Sequence, residues 1–166
     1  MTVPLSVHGL VVGYVIVARL AELLLANRNT RGLLANGGYE VGRRHYPLIV
    51  ATHLAWILAL VFAVPTDTPP HMPVLAAFIL VQGFRYWVIS SLGRRWTTRI
   101  IVVPGEALIK RGPYRWFRHP NYMVVCAEIA LLPLIFGAWQ IALGFSLINA
   151  VILTHRIRIE ESELGI

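Results

Sequence analysis

Long apolar runs separated by short polar segments make up most of the chain. About 20 apolar residues span a lipid bilayer as a helix, and five of the runs are candidates for such spans. They cover residues 4–26, 46–64, 73–92, 122–136 and 141–155. The connector between the last two is so short that they must be antiparallel neighbours. The pattern predicts an all-α integral membrane protein with about five transmembrane helices and a C-terminal helical hairpin.

The overall composition supports this assignment. Of the 166 residues, 57% are hydrophobic and 14% are charged, whereas soluble domains contain about 45–50% apolar and about 25% charged residues. The length suits a single domain. The first apolar run has neither a basic segment before it nor a small-residue cleavage site after it, so we expect no cleavable signal peptide. Cys126 is the single cysteine, which excludes a disulfide framework.

The basic residues mark one side of the membrane. Outside the candidate spans, every Arg and the single Lys fall within residues 27–45, 93–120 and 156–166. The loops 65–72 and 137–140 contain neither. By the positive-inside rule, the three basic segments face the cytoplasm and the N-terminus lies outside. Such loops also account for the net charge of +7, so we expect no nucleic-acid binding.

Four charged residues lie inside candidate spans: Arg19, Glu22, Arg85 and Glu128. A charge in a span suggests function, because leaving it in lipid costs about 2.5–3.5 kcal/mol on insertion scales. All four are therefore candidates for substrate contact. Structural alternatives remain open: Arg19 and Glu22 share a helix face and can pair, Arg85 can reach the membrane surface, and Glu128 is either a buried protonated carboxyl or part of a cavity wall.

Residues 111–122 form a basic, aromatic segment between two apolar runs. His119-Pro120 is typical of a helix start, with Pro at the first helical position and His or Asn as cap. A purely structural cap is one interpretation. The free N–H groups and positive dipole end of such a helix also suit a carboxylate ligand. The two interpretations are compatible.

Two other segments are expected near this helix start. Arg156 and Glu160 are four residues apart and share a helix face, which alone indicates no more than a weak surface ion pair. The short hairpin arms, however, place 156–160 at the same membrane face as 119–122. Residues 100–109 are β-branched and broken by Pro-Gly, and we expect a short extended hairpin or loop there. The scattered histidines show no metal-ligand spacing, so no metal site is expected.

Two motifs carry a family resemblance. The first, G-P-Y-R-x-x-R-H-P-x-Y, covers residues 112–122, and the second, R-x-x-x-E-E-x-x-L, covers residues 156–164. With the hairpin between them, they resemble the isoprenylcysteine carboxyl methyltransferase family and, more distantly, phospholipid methyltransferases. The resemblance implies a bacterial inner-membrane enzyme that uses S-adenosyl-L-methionine. It implies one domain, in which residues 1–92 form three N-terminal spans and residues 93–166 form a cytoplasmic cofactor pocket.

The resemblance also implies roles for individual positions. Those matching the family's cofactor contacts are His119, Pro120, Asn121, Tyr122, Tyr114, Leu108, Ile109, Glu160 and Glu161. Arg156 matches the arginine that orients the acceptor oxygen, and Arg118 matches a motif arginine in the same pocket, so these two are the candidate catalytic residues. The chain departs from the family at Glu106, where His is frequent, and at Val124, where Gly is frequent.

The acceptor is the least determined part of the resemblance. Residues 19–23, 27–29, 39–42 and 45–47 look like a bacterial subgroup that methylates alkylpyrones or alkylresorcinols. The expected partner is a lipophilic substrate that enters from the bilayer and carries a carboxylate or an acidic hydroxyl, either isoprenylcysteine-like or of this subgroup's kind. A neutral phenol needs a base, for which Glu128 or Glu22 is a candidate. A phospholipid N-methyltransferase and a non-catalytic lipid-binding protein remain alternatives.

Overall fold

Five long α-helices dominate the computed structural model, which describes residues 6–164. They are α1 (Val7–Ala35), α2 (Tyr46–Ala63), α3 (Met72–Leu92), α4 (Pro120–Ile135) and α5 (Trp139–Leu164). The predicted all-α membrane class is confirmed. The predicted start of the first span at residue 4 lies outside the described residues. A three-residue connector, 136–138, joins α4 to α5 as the predicted helical hairpin.

Four of these helices, α1, α2, α3 and α5, are long and apolar enough to cross a membrane. Helix α4 has 16 residues, which makes it about 24 Å long and shorter than a bilayer core of about 30 Å. Together with the segment before it, α4 nevertheless follows α3 from end to end. At one end His71 N donates to Ile135 O at 2.7 Å, and at the other Arg111 Nε donates to Ser91 O at 2.7 Å. Helix α4 therefore needs the segment before it to match the depth of α3.

Helices α1 and α5 extend farther than their apolar runs. The expected loop 27–45 is helical up to Ala35, and the helix expected to end at residue 155 continues to Leu164. At about 1.5 Å per residue, α1 with 29 residues measures about 43 Å and α5 with 26 residues about 39 Å. The ends of the apolar runs indicate where the lipid-facing part of each helix ends, and both helices continue beyond that point. Gly37, with φ of 84°, follows the α1 cap as a left-handed C-terminal glycine.

Residues 100–109, expected as a short extended hairpin or loop, contribute one strand to a two-stranded antiparallel sheet and otherwise form a loop, so that only the local hairpin is wrong. Strand β1 (Tyr39–Val41) pairs with β2 (Ile100–Val102), and Glu40 is opposite Ile101. The extended stretch therefore finds its partner about sixty residues earlier in the chain rather than in its own continuation. Residues 104–105 form a turn, and residues 106–110 are irregular. The β-branched side chains indicated extended structure, but they carried no information about the partner.

The sheet lies at the end of the bundle where α1, α3 and α5 finish and α2 and α4 begin, here called the basic end. Asn29 Nδ2 donates to Gly93 O and to Trp96 O, at 3.1 and 2.8 Å, and so ties α1 to the segment after α3. Toward the opposite end, Val12, Trp56, Leu60 and Leu132 form part of a buried apolar core. Large apolar side chains on the outside remain exposed, including Phe62 at 82% and Leu80 at 75%. Such exposure matches a lipid-facing surface.

Candidate active site

A cavity of about 620 Å³ opens at the basic end. Its size falls within the 300–1,000 Å³ typical of small-molecule sites. Three parts of the chain supply most of its lining: most of residues 95–110 including β2, the segment from Tyr114 to Tyr122, and the last turns of α5. Leu33 of α1 and Leu92 of α3 complete it. Its walls therefore come from sequence-distant segments that meet only because α4 and α5 form a hairpin beside the sheet.

The hydroxyl of Tyr122 joins the two arms of this hairpin. Arg156 Nε donates to Tyr122 Oη at 2.8 Å, and Tyr122 Oη donates to Glu160. Arg156 Nη2 also donates to Thr98 O at 2.8 Å, which fixes the guanidinium from a second side. Arg156 is only 8% exposed. The alternative of a solvated surface ion pair, which the 156/160 spacing alone suggested, is therefore wrong, because Arg156 is buried and the Tyr122 hydroxyl lies between it and Glu160.

Helix α4 begins at Pro120, as the sequence indicated, but the cap differs from the one expected. The side chain of His119 makes no capping bond. Its ring stacks on Tyr122, with centroids 5.3 Å apart and an interplanar angle of 18°. Its Nε2 lies 3.2 Å from Glu161 Oε1. His119 therefore connects the first turn of α4 to the last turns of α5 through its side chain and caps with its backbone only.

Several buried polar atoms of the cavity wall have no hydrogen-bond partner within residues 6–164: the Tyr114 hydroxyl, Asn121 Oδ1 and Trp96 Nε1. Burial, together with the nearby Glu160 carboxylate, raises the pKa of the Tyr114 hydroxyl. Tyr114 is thus a neutral hydroxyl at physiological pH. Buried polar groups are normally paired, so a ligand with both donors and acceptors suits these three positions.

The predicted site residues take different positions relative to this cavity. Those that line it are His119, Asn121, Tyr122, Tyr114, Leu108, Ile109, Glu160, Arg156 and Arg118. Arg118 is exposed, at the rim. Pro120 is the buried first residue of α4. Glu161 does not line the cavity and contacts His119, which does. Glu106, the departure from the family pattern, also lines the cavity and pairs with Arg95 at 2.5 Å.

Arg156 is supported by a group of residues that the sequence did not indicate. Arg99 Nη1 lies 3.0 Å from both carboxylate oxygens of Glu40, and its guanidinium stacks on the Tyr46 ring at 4.6 Å. The hydroxyl of Tyr46 is 3.0 Å from Thr98 Oγ1, on the residue whose carbonyl holds Arg156. Arg99 had been counted only as a loop charge. The contacts with Glu40 and Tyr46 join residues more than fifty positions apart, so no local pattern indicated them.

The four charged residues of the spans meet in one cluster inside the bundle. Arg85 donates to Glu22 at 2.6 and 2.5 Å and to Glu128 at 2.7 Å. Arg19 lies 3.0 Å from Glu22 and 3.3 Å from Glu128. Gln82 Nε2 adds a bond to Glu128 at 2.8 Å. The cluster links α1, α3 and α4, and buried ion pairs of this kind need such hydrogen bonds to persist.

This cluster settles some alternatives for the spans. Arg19 and Glu22 pair as expected. The interpretation that Arg85 reaches the membrane surface is wrong, because Arg85 is 5% exposed and points into the bundle. The large cavity does not include these residues in its lining. Glu128 follows Tyr122 by six positions, about 9 Å along α4, which is beyond hydrogen-bond reach of a group held at Arg156.

Comparison with known proteins identifies the family of the chain. A sequence model of the isoprenylcysteine carboxyl methyltransferase family matches residues 74–166. The uncharacterized protein YpbQ of Bacillus subtilis is 40% identical over 159 residues, which cover 93% of this chain and 95% of YpbQ. An uncharacterized protein of Haemophilus influenzae is 26% identical over 156 residues, 91% of each chain. No solved structure matches the chain.

Proposed function

Because the chain belongs to the isoprenylcysteine carboxyl methyltransferase family, we propose that it is an integral-membrane O-methyltransferase that uses S-adenosyl-L-methionine. The acceptor is the carboxylate or acidic hydroxyl of a lipophilic molecule. One observation carries the proposal: the cavity at the basic end combines polar atoms that have no partner among residues 6–164 with a fixed, buried arginine.

The residues present fit the cofactor. Tyr114 and Asn121 offer a donor and an acceptor for its nucleoside, and Leu108 and Ile109 offer apolar surface. Glu160 offers a carboxylate for the ammonium group or a ribose hydroxyl. The volume of about 620 Å³ is ample for a molecule of this class. When bound, S-adenosyl-L-methionine supplies a methyl group on a positively charged sulfur.

Arg156 is suited to align the acceptor oxygen. Its Nε and Nη2 donate to Tyr122 and Thr98, and within residues 6–164 its Nη1 makes no hydrogen bond, so Nη1 can donate to a further group. A guanidinium held in this way presents a fixed donor geometry to an oxygen anion. Carboxylates are ionised at pH 7, so such an acceptor needs no base. Catalysis then consists mainly of positioning the reacting groups.

The same arginine argues against the leading alternative. In phospholipid N-methylation the acceptor is a neutral amine whose nitrogen gains positive charge as it is methylated, and a fixed guanidinium beside it would oppose that charge. Between the oxygen acceptors, an isoprenylcysteine-like carboxylate and an acidic alkylpyrone hydroxyl fit Arg156 equally well. An alkylresorcinol needs a base, and Glu128 lies too deep in the bundle to serve from its present position.

The charge distribution supports a cytoplasmic location for the cavity. All three basic segments lie at the basic end, with Arg28 and Arg31 on the final turns of α1 and Arg158 on α5. The positive-inside rule places such segments in the cytoplasm, where the soluble cofactor is found. The lipid tail of the acceptor then lies among the helices of a bacterial inner-membrane protein, and its reactive oxygen lies at the basic end.

A methyl-transfer panel tests the proposal. Purified protein in detergent is incubated with methyl-labelled cofactor and, separately, a farnesylcysteine analogue, an alkylpyrone, an alkylresorcinol and a phospholipid. We expect label in an oxygen acceptor and loss of that label in Arg156→Leu, while the lipid-facing control Phe62→Leu retains it. Label in the phospholipid amine alone favours N-methylation. No transfer to any acceptor, together with no binding of S-adenosylhomocysteine, favours a non-catalytic lipid-binding protein.

A further inference from the structure

A second cavity lies inside the helix bundle, away from the proposed active site. It is small, about 10 Å³, and α1, α2, α3 and α4 all contribute to it. Its lining includes Arg19, His53, Trp56 and Glu128. Among the described residues, neither Arg19 Nε nor Trp56 Nε1 has a hydrogen-bond partner, although both atoms are buried. Trp56 as a whole is 3% exposed.

We propose that this cavity is a binding site for one uncharged hydroxyl-type oxygen, which accepts hydrogen bonds from Arg19 and Trp56. Arg19 and Trp56 both line this cavity, and among residues 6–164 the Arg19 Nε and Trp56 Nε1 groups are buried donors without an acceptor. Buried donors are normally satisfied. An oxygen atom has the lone pairs to satisfy both. A space of about 10 Å³ is just sufficient for one water-sized group.

The surrounding charges require the occupant to be neutral. Arg19 and Arg85 already balance Glu22 and Glu128 within the cluster. An anion in the cavity would lie beside Glu128, and a cation would lie beside Arg19. Because water is scarce at this depth, either charge would be poorly screened. An uncharged oxygen avoids both repulsions.

His53 explains why the oxygen should also carry a hydrogen. Its Nδ1 lies 2.9 Å from Ile49 O, and a carbonyl oxygen can only accept, so Nδ1 carries the proton. In the neutral ring Nε2 is then an acceptor. A cavity wall with two donors and two acceptors, His53 and Glu128, matches a water molecule or a hydroxyl group better than a carbonyl. This oxygen connects α2 to the ion cluster, whose charged members all lie on α1, α3 and α4.

The experiment is proton NMR of the indole N–H groups in detergent-solubilised protein. The chain has five Trp residues, and loss of one resonance in Trp56→Phe assigns Trp56. If that variant fails to fold, Phe variants of the exposed Trp87, Trp116 and Trp139 and of Trp96 assign it by elimination. Cross-relaxation between the indole proton and water, without any added ligand, identifies bound water as the occupant.

A lipid hydroxyl is the other source of the same oxygen. In that case the Trp56 resonance shows no contact with water and shifts only when a hydroxyl-bearing lipid such as an alkylresorcinol is added. Either result supports the site. A Trp56 indole proton that shows neither water contact nor a shift with the lipid overturns it. Titration with S-adenosylhomocysteine should leave this resonance unmoved, so failure of the proposed methyltransferase function is distinguishable from failure of this site.

Discussion

Replacing Tyr122 by Phe removes one hydroxyl group and leaves the ring that stacks on His119. The hydroxyl accepts a bond from Arg156 and donates one to Glu160, so both charged partners lose a bond at once. Hydrogen bonds to charged groups contribute about 1.5–3 kcal/mol each, and a buried partner left unpaired loses its compensation for desolvation. Because Arg156 is 8% exposed, water can replace its lost hydrogen bond only to a small extent.

We therefore expect Tyr122→Phe to lower the free energy of unfolding by about 1.5–3 kcal/mol, because the two losses overlap in one network. For a chain of this length that corresponds to a decrease in Tm of about 3–12 °C. Arg156 keeps its bond to Thr98 O but loses its second fixed contact. If the loss of positioning falls wholly on the transition state, turnover decreases about 10- to 100-fold.

The assay combines thermal unfolding in detergent with methyl transfer to the acceptor identified by the panel. Tyr39→Phe is the matched control, because Tyr39 is an exposed tyrosine of β1 near the same end. It should leave both quantities unchanged. Turnover of Tyr122→Phe within twofold of the unmodified protein would refute the role of this hydroxyl in positioning Arg156. Unchanged turnover with a lower Tm would restrict the hydroxyl to a structural role.

Three further perturbations test other parts of the structure. Tyr46→Phe removes the bond to Thr98 and should lower turnover about 3- to 10-fold, the effect of roughly 1 kcal/mol, with affinity for S-adenosylhomocysteine unchanged by calorimetry. Arg85→Met removes one of the two arginines that contact both buried glutamates and leaves Arg19 as the other. The four-charge cluster then carries an excess of buried negative charge, which should destabilise the protein by about 3–5 kcal/mol, measured by thermal unfolding. Burial raises the pKa of the Tyr114 hydroxyl above 10.0. Above about pH 10 the unfolded state therefore loses this proton before the folded state does, and the free energy of unfolding falls as pH rises. Tyr114→Phe should reduce this alkaline loss of stability in unfolding experiments.

Each of these predictions has a contradicting outcome. A weaker affinity for S-adenosylhomocysteine in Tyr46→Phe would mean that Tyr46 supports the cofactor wall rather than Arg156. Full stability of Arg85→Met would show that the cluster contributes nothing to joining α1, α3 and α4. An alkaline loss of equal steepness in Tyr114→Phe would assign that loss to other groups.

The helices were predictable because their apolar runs contain few charged residues and are separated by polar segments. Their ends were not, since the polar residues after residue 26 mark the exit from lipid while α1 continues to Ala35. The same applies to α5, where the predicted end at residue 155 is followed by more than two helical turns. Hydropathy reports on the surrounding solvent, whereas helix ends are set by caps such as the turn at Gly37.

The site also has one part that the local sequence pattern predicts and one part that it does not. His119, Tyr122, Arg156 and Glu160 were predictable, because a motif and a short hairpin bring them together. The support from Glu40, Tyr46 and Thr98 was not, because it depends on strand pairing over about sixty residues, which hydrophobic periodicity does not specify. For Arg85, span position alone suggested two orientations, and only the location of both glutamate partners decided between them.

Calorimetric titration of the purified protein with S-adenosylhomocysteine tests most directly whether the cavity at the basic end binds the cofactor. We expect saturable binding to one site in the unmodified protein. The control Asp67→Asn should bind equally, because Asp67 lies in the loop between α2 and α3 at the opposite end of the bundle. In Glu160→Gln we expect the affinity for S-adenosylhomocysteine to be at least about tenfold lower, because one hydrogen bond to a charged group is lost. No heat of binding at millimolar ligand, or equal affinity in Glu160→Gln, would contradict the assignment of this cavity as the cofactor site.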